Sequence, residues 1–160
     1  MNYGKYNEEK GREVLKYILS KGLHNKYHVM KAVYFADKYH LEHYGRQVNG
    51  NTYYALELGP VPSELYEFVK DIQKGTVPDF YARKYDLFCE DTYDRKWFSK
   101  SDMEALDFGI NEVSGLTMGQ VMDKSHDAAY LMTDENCIMS LESIISQMPN
   151  AGQLMEYLSR

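Results

Sequence analysis

The chain has 160 residues, of which 44% are hydrophobic and 26% charged, with a net charge of −6. That length can bury a core without staples, that composition lies outside the disordered regime, and the acidic balance works against the phosphate attraction on which nucleic-acid binding rests. No apolar run is long enough to span a bilayer, and the charged stretch from Met1 to Lys10 has no signal-peptide core, so a cytoplasmic protein without membrane contact is expected.

In chain order, Val14, Leu15, Ile18 and Leu19 recur at helical spacing between Asn7 and Ser20, with Gly22 as a stop signal. Asn25 can cap a second helix with a stripe of Met30, Val33, Tyr34, Asp37, Leu41 and Tyr44, ending at Gly45. Asn49-Gly50-Asn51 is turn chemistry, and Thr52 to Leu58 then reads as a strand. Gly59-Pro60-Val61-Pro62 is expected to end it, because proline cannot donate to a sheet ladder. Ser63 is expected to cap a third helix with Leu65, Phe68, Val69 and Ile72 on one face.

Between Lys84 and Phe98 the period changes to two, with Tyr85, Leu87 and Cys89 on one face and a polar turn at Asp91 to Arg95 before Trp97 and Phe98. That pattern predicts two further short strands. Ser101-x-x-Glu104 and Thr117-x-x-Gln120 read as capping boxes of two helices, and shorter helices are expected near Leu141 to Gln147 and Gly152 to Leu158. No repeat or linker interrupts residues 1–160. The elements sum to an α+β class that is predominantly α-helical, one compact domain with a small antiparallel β-sheet.

Chemistry-bearing patterns are sparse. Gly45 to Asn51 spans a phosphate-loop spacing without its lysine, His40-Leu41-Glu42 lacks the cysteine pair of a zinc deaminase, and the common hydrolase and dinucleotide signatures are missing. Asp37 and His40, one helical turn apart, read as a structural polar pair before a general base and its orienter. His24 with His28, and His40 with His43, share helix faces but lack further ligands for a metal. Ser125-His126-Asp127 is too local for a catalytic triad, and a helix capped by Ser125 explains it better. Cys89 and Cys137 suit ordinary thiols, buried or half-buried. No catalytic residue, metal or cofactor is expected. The abundance of Tyr and Met, 15 and nine residues, fits a protein-binding surface.

Three blocks carry a family resemblance. Lys31 through Leu41 followed by Tyr44-Gly45-Arg46 is the first, and Tyr53 through Leu58 running into Gly59-Pro60-Val61-Pro62-Ser63 is the second. The third combines Phe98-Ser99-Lys100-Ser101-Asp102, Leu116-Thr117 and Ser125-His126, with Tyr130 where relatives often carry Trp. In order and spacing these resemble the Panacea domain of SocA-like antitoxins, over about residues 10–132, leaving additional C-terminal helices over 140–160. The resemblance implies a mainly helical fold and a non-enzymatic role, neutralising a cognate toxin protein by direct contact.

In some members of that family the antitoxin is an adaptor that delivers the toxin to an ATP-dependent (AAA+) protease, and many members belong to phages and mobile elements. Tyr53, Tyr54, Gly59, Pro60, Pro62 and Tyr66 are the expected partner-binding residues. The alternatives are a phage or mobile-element protein that binds a host protein, a small hydrolase using Asp37 and His40 or His126, and a DNA-binding repressor, against which the charge argues.

Overall fold

The computed structural model describes residues 4–160, and α2 (Lys26–Tyr44) is its central element. The Asn25 side chain accepts from the backbone N–H groups of Tyr27 and His28, and the helix ends where Gly45 adopts φ 76°. Such a left-handed residue costs a glycine least. From Val29 to Asp37 the helix is buried on every side, as expected of a helix that other elements surround. Tyr44 leaves the predicted stripe: it is exposed, and its hydroxyl donates to Glu104.

Helix α1 (Glu8–Ser20) is capped by Asn7 and helix α4 (Lys100–Val113) by Ser99, which forms a capping box with Asp102. This corrects the expected box at Ser101 and Glu104 by two residues. Helices α2 and α4 approach closely because Ala32 and Ala36 face Gly109, where an added Cβ would lie 2.1 Å from the Ala32 carbonyl oxygen.

The proline-rich segment forms a strand. β1 (Tyr53–Leu56) pairs antiparallel with β2 (Gly59–Pro62), with Tyr53 opposite Pro62 and Ala55 opposite Pro60. The expectation that Pro60 and Pro62 end the sheet is therefore overturned, and the ladder itself gives the reason. The Ala55 N–H donates to the Cys137 carbonyl and the Tyr53 carbonyl accepts from Met139 N–H, so both residues turn their backbone groups away from β2. The prolines opposite them occupy positions from which an antiparallel ladder asks no N–H. The hairpin bond beyond them, from Ser63 N–H to the Thr52 carbonyl, is 2.8 Å.

Helix α3 (Ser63–Gln73) follows directly. Its N-cap position is Pro62 and no side chain caps it, so Ser63 is its first residue and not its cap. Glu64 in its first turn binds the hairpin, its carboxylate accepting from Thr52 N–H at 2.8 Å. The second hairpin, β3 (Phe80–Arg83) with β4 (Asp86–Cys89), lies earlier than predicted. Tyr85 is in its turn and exposed while Leu87 is buried, and Trp97 ends a 3-10 turn, Arg95–Trp97. The expected single small sheet is thus two separate two-stranded sheets.

Helices α5 (Met118–Ser125), α6 (Ala128–Leu131), α7 (Leu141–Ser146) and α8 (Ala151–Leu158) complete the chain. The Thr117 capping box is present as predicted. Asp127, and not Ser125, caps α6, since its side chain accepts from Tyr130 N–H. Cys89 is half-buried but Cys137 is exposed, against the expectation for the latter.

Two buried carboxylates tie the layers together. Asp37, in the middle of α2, accepts from Val48 N–H at 2.8 Å and from the Tyr53 hydroxyl at 2.5 Å. It thereby holds both ends of the 48–53 connection against the helix, and burial pushes its pKa up to about 6. Asp102 at the start of α4 lies 2.9 Å from Lys10 Nζ and 2.9 Å from Arg46 Nη1, and 3.5 Å from His40 Nε2. Burial works to raise the Asp102 pKa, but the Lys10 ammonium and the Ser99 N–H outweigh it and hold the carboxyl below its ordinary range.

Two outcomes follow for stability. Gly109→Ala forces α2 and α4 apart and costs about 2 kcal/mol in urea denaturation, despite the roughly 1 kcal/mol that helix propensity returns. For Asp37, the unfolded chain releases its proton near 3.8 and the folded chain near 6. The folded state therefore loses stability as pH rises from 4 to 6, by about 2 kcal/mol from this group. Asp37→Asn flattens that segment of the stability-versus-pH curve.

Candidate protein-binding interface

A groove of about 300 Å³ runs between α2, the turn joining β1 to β2, and α3. Its walls are Tyr27 and Met30 from α2, Leu56 and Leu58 from the hairpin, and Val61 and Tyr66. Leu58 and Tyr66 are 42% and 37% exposed. A leucine at a two-residue hairpin turn needs an explanation, since turns ordinarily take Gly, Asn or Asp.

The turn is tethered on both sides. The Tyr27 hydroxyl donates to the Leu58 carbonyl at 2.7 Å and the Tyr130 hydroxyl to the Leu56 carbonyl at 2.5 Å. Gly59, at φ 119°, packs so closely that a Cβ there would meet Ser125 Oγ at 2.9 Å and Lys31 Cε at 3.1 Å. Beneath the hairpin lies Lys31, 1% exposed, whose Nζ donates to the Pro60 carbonyl at 2.7 Å and sits 4.8 Å from the Tyr27 ring centroid. That carbonyl is free to accept because Pro60 stands opposite Ala55, at a register position whose backbone groups point away from β1. Burial lowers the Lys31 pKa to about 7.

Of the six residues expected to bind a partner, four are inside. Tyr53 is buried with its hydroxyl on Asp37, and Gly59, Pro60 and Pro62 are buried in β2. Tyr54 is half-buried opposite Val61, and Tyr66 is exposed on the groove. The Gly-Pro-Val-Pro block therefore builds the wall, and the residues that reach solvent are its neighbours. Tyr27 and Leu58 went unnoticed in the sequence, and Met30, read there as part of the α2 stripe, is buried at the base of the groove. The signal for Leu58 was present: once the prolines are read as a strand, Glu57-Leu58 must be the turn, and an apolar turn residue stands out.

Asp37 and His40 are both buried, and each has its own partners. His40 Nδ1 donates to the Arg46 carbonyl at 2.8 Å and Nε2 lies 2.9 Å from Ser101 Oγ. Burial lowers its pKa, so the ring is neutral and accepts from Ser101. Both residues close a loop against a helix and neither lines the groove. Ser125, His126 and Asp127 do not converge: Ser125 donates to the Met122 carbonyl, His126 stacks on Tyr130, and Asp127 accepts from Tyr34 and Lys38. His24 contacts the Leu87 carbonyl, His28 the Leu116 carbonyl and His43 the Tyr39 carbonyl. Among the described residues no cluster of three or more His, Cys, Asp or Glu side chains is arranged to hold a metal ion, and no helix is long and apolar enough to cross a membrane.

A family model described as antitoxin SocA-like, Panacea domain, matches residues 29–130. The matched span runs from the first turn of α2 to Tyr130 and so contains the hairpin, α3 and the tether from α6. No curated protein and no solved structure matches the chain.

The buried amine yields a sharp expectation. The folded chain releases the Lys31 proton near 7 while the unfolded chain keeps it to about 10.5, so stability rises with pH above 7. From pH 7 to 9 this group contributes about 2 kcal/mol. Lys31→Met removes that rise and leaves the protein at least as stable at pH 7, as replacement of a buried charge by an apolar isostere commonly does. Denaturant melts at the two pH values measure both effects.

Proposed function

Because the chain belongs to the family of SocA-like antitoxins with a Panacea domain, we propose that it neutralises its toxin by binding it directly through the groove between α2, the hairpin turn and α3. Family membership gives the antitoxin-type role and a protein partner. The groove is the face that suits such a partner best, and one observation carries the choice: Leu58 is exposed on a turn that Tyr27 and Tyr130 hold rigid.

An exposed leucine on a loose loop would surrender its burial energy to ordering when bound. A tethered one has already met that cost, so more of its contact energy appears as affinity. Tyr27 and Tyr66 on the flanking walls supply contact area with few torsions to freeze, and tyrosine is a residue type enriched in binding hot spots. The larger groove of about 600 Å³ between Phe35, Tyr39, Phe108 and Met148 is crossed by Lys38 and Lys124, which are already engaged with Asp127 and Glu112. Docking there would have to break those pairs.

Co-expression with the toxin encoded by the adjacent gene tests the reading. Wild-type protein restores growth, whereas Leu58→Asp combined with Tyr66→Ala weakens binding at least thirtyfold, about 2 kcal/mol, and loses rescue while the melting temperature is retained. Immunoblotting of the toxin in the rescued cells separates blocking, in which its level holds, from delivery to a protease, in which it falls. Full rescue by the double variant contradicts the assignment of the groove.

A further inference from the structure

The hairpin tip adjoins a second apolar surface. The Tyr130 hydroxyl that holds the Leu56 carbonyl also donates to the Glu57 carbonyl at 3.3 Å. The residues that follow Tyr130, Leu131 and Met132, are 73% and 64% exposed. Leu58 and Leu131 are thus the chain neighbours of the two residues joined by that bond. Both fall within the footprint of one ordinary interface, about 800 Å² on each partner.

The unpaired charges around this surface are carboxylates. Burial, and then the charges of Glu135 and Glu57, push the pKa of the Tyr130 hydroxyl up. Burial does the same for Tyr27, the other tether of the turn, with Asp123 among the nearby charges. Glu57, Asp123 and Glu135 therefore stand around the tip. All three are exposed, and among the described residues none of them forms an ion pair. The neighbouring cations are engaged elsewhere. Lys31 is buried with its amine on the Pro60 carbonyl, and Lys26 carries its ammonium over the Tyr85 ring, outside the groove lining. Lys70 is paired with Glu67, and Lys124, next to Asp123 in the chain, with Glu112.

A neutral segment that covered Leu58 and Leu131 would strip water from Glu57 and Glu135 without replacing it, which is costly. An acidic segment would add repulsion. A lysine or arginine supplies the counter-charge, and its aliphatic stem covers apolar surface at the same time.

We propose that the partner protein docks a basic segment on the hairpin tip, with a lysine or arginine reaching Glu57 and Glu135 and apolar neighbours covering Leu58 and Leu131. This rests on the reading that the groove is the binding face, and extends that face across Tyr130 to the end of α6.

The test uses the full chain and a random-peptide display library as the probe. Peptides enriched on the wild type carry Lys or Arg beside apolar residues, and replacing the base with Gln weakens them about fivefold or more. The Glu57→Lys, Glu135→Lys double variant, checked for an unchanged fold by its melt, weakens the basic peptides by as much. Glu9→Lys combined with Glu90→Lys, at exposed sites on α1 and after β4, moves the net charge equally but changes their binding less than about twofold. Leu131→Ser weakens them about threefold or more. Enriched peptides without a base, equal binding of basic and Gln forms, equal losses on the two charge-reversed variants, indifference to Leu131→Ser, or no enrichment on the wild type overturns the proposal. If the Leu58→Asp, Tyr66→Ala variant loses toxin rescue while Gln peptides bind as well as their basic parents, the partner chemistry falls and the binding face stands. If that variant keeps rescue, the binding face falls and this inference with it.

Discussion

A carboxylate buried in the middle of α2 holds the hairpin where it can form a groove. Asp37 accepts one bond from the backbone of Val48 and another from the Tyr53 hydroxyl, so the strand that leads to the turn is anchored at its base. Lys31 takes the Pro60 carbonyl half-way along, and Tyr27 and Tyr130 take the carbonyls at the tip. Every tether comes from a side chain of α2 or α6. Burying an acid and an amine carries a desolvation cost that better-packed apolar residues would avoid. What the arrangement gains is position: a short two-stranded hairpin has little stability of its own, and these bonds fix it at a single height and angle above the helix.

The prolines extend the same logic. Their rings fix φ and reduce the freedom of the unfolded strand, and their places in the register require no N–H donors. Along its other edge, β1 is covered by the 136–139 segment, so neither edge of the hairpin presents a long run of free donors to other chains. The result is a rigid wall ending in an exposed leucine. At this face rigidity and apolar exposure coincide.

Much of the helical frame was legible in the sequence because caps and stripes are local signals. Asn25, Gly45 and Thr117 terminate helices as their chemistry dictates, and the family resemblance rests on blocks that the matched span contains. The errors share a cause as well. Whether Pro60 and Pro62 can lie in a strand depends on which way Tyr53 and Ala55 turn their backbone groups, and that is set by residues 136–139, some eighty positions away. Asp102 displaces Glu104 from the predicted capping box because it also meets Lys10 and Arg46. Of the proposed interface the sequence shows the Gly-Pro-Val-Pro block, which is buried in β2, while the residues beside it that reach solvent, Tyr27 and Leu58, carry no motif.

The most direct measurement of the central claim is amide hydrogen exchange on the protein alone and in complex with its toxin. The account predicts added protection over residues 26–31 and 56–66, which form the groove, with little change over 35–43 and 108–112. Protection confined to those latter segments, with the hairpin turn exchanging as it does in the free protein, would contradict it.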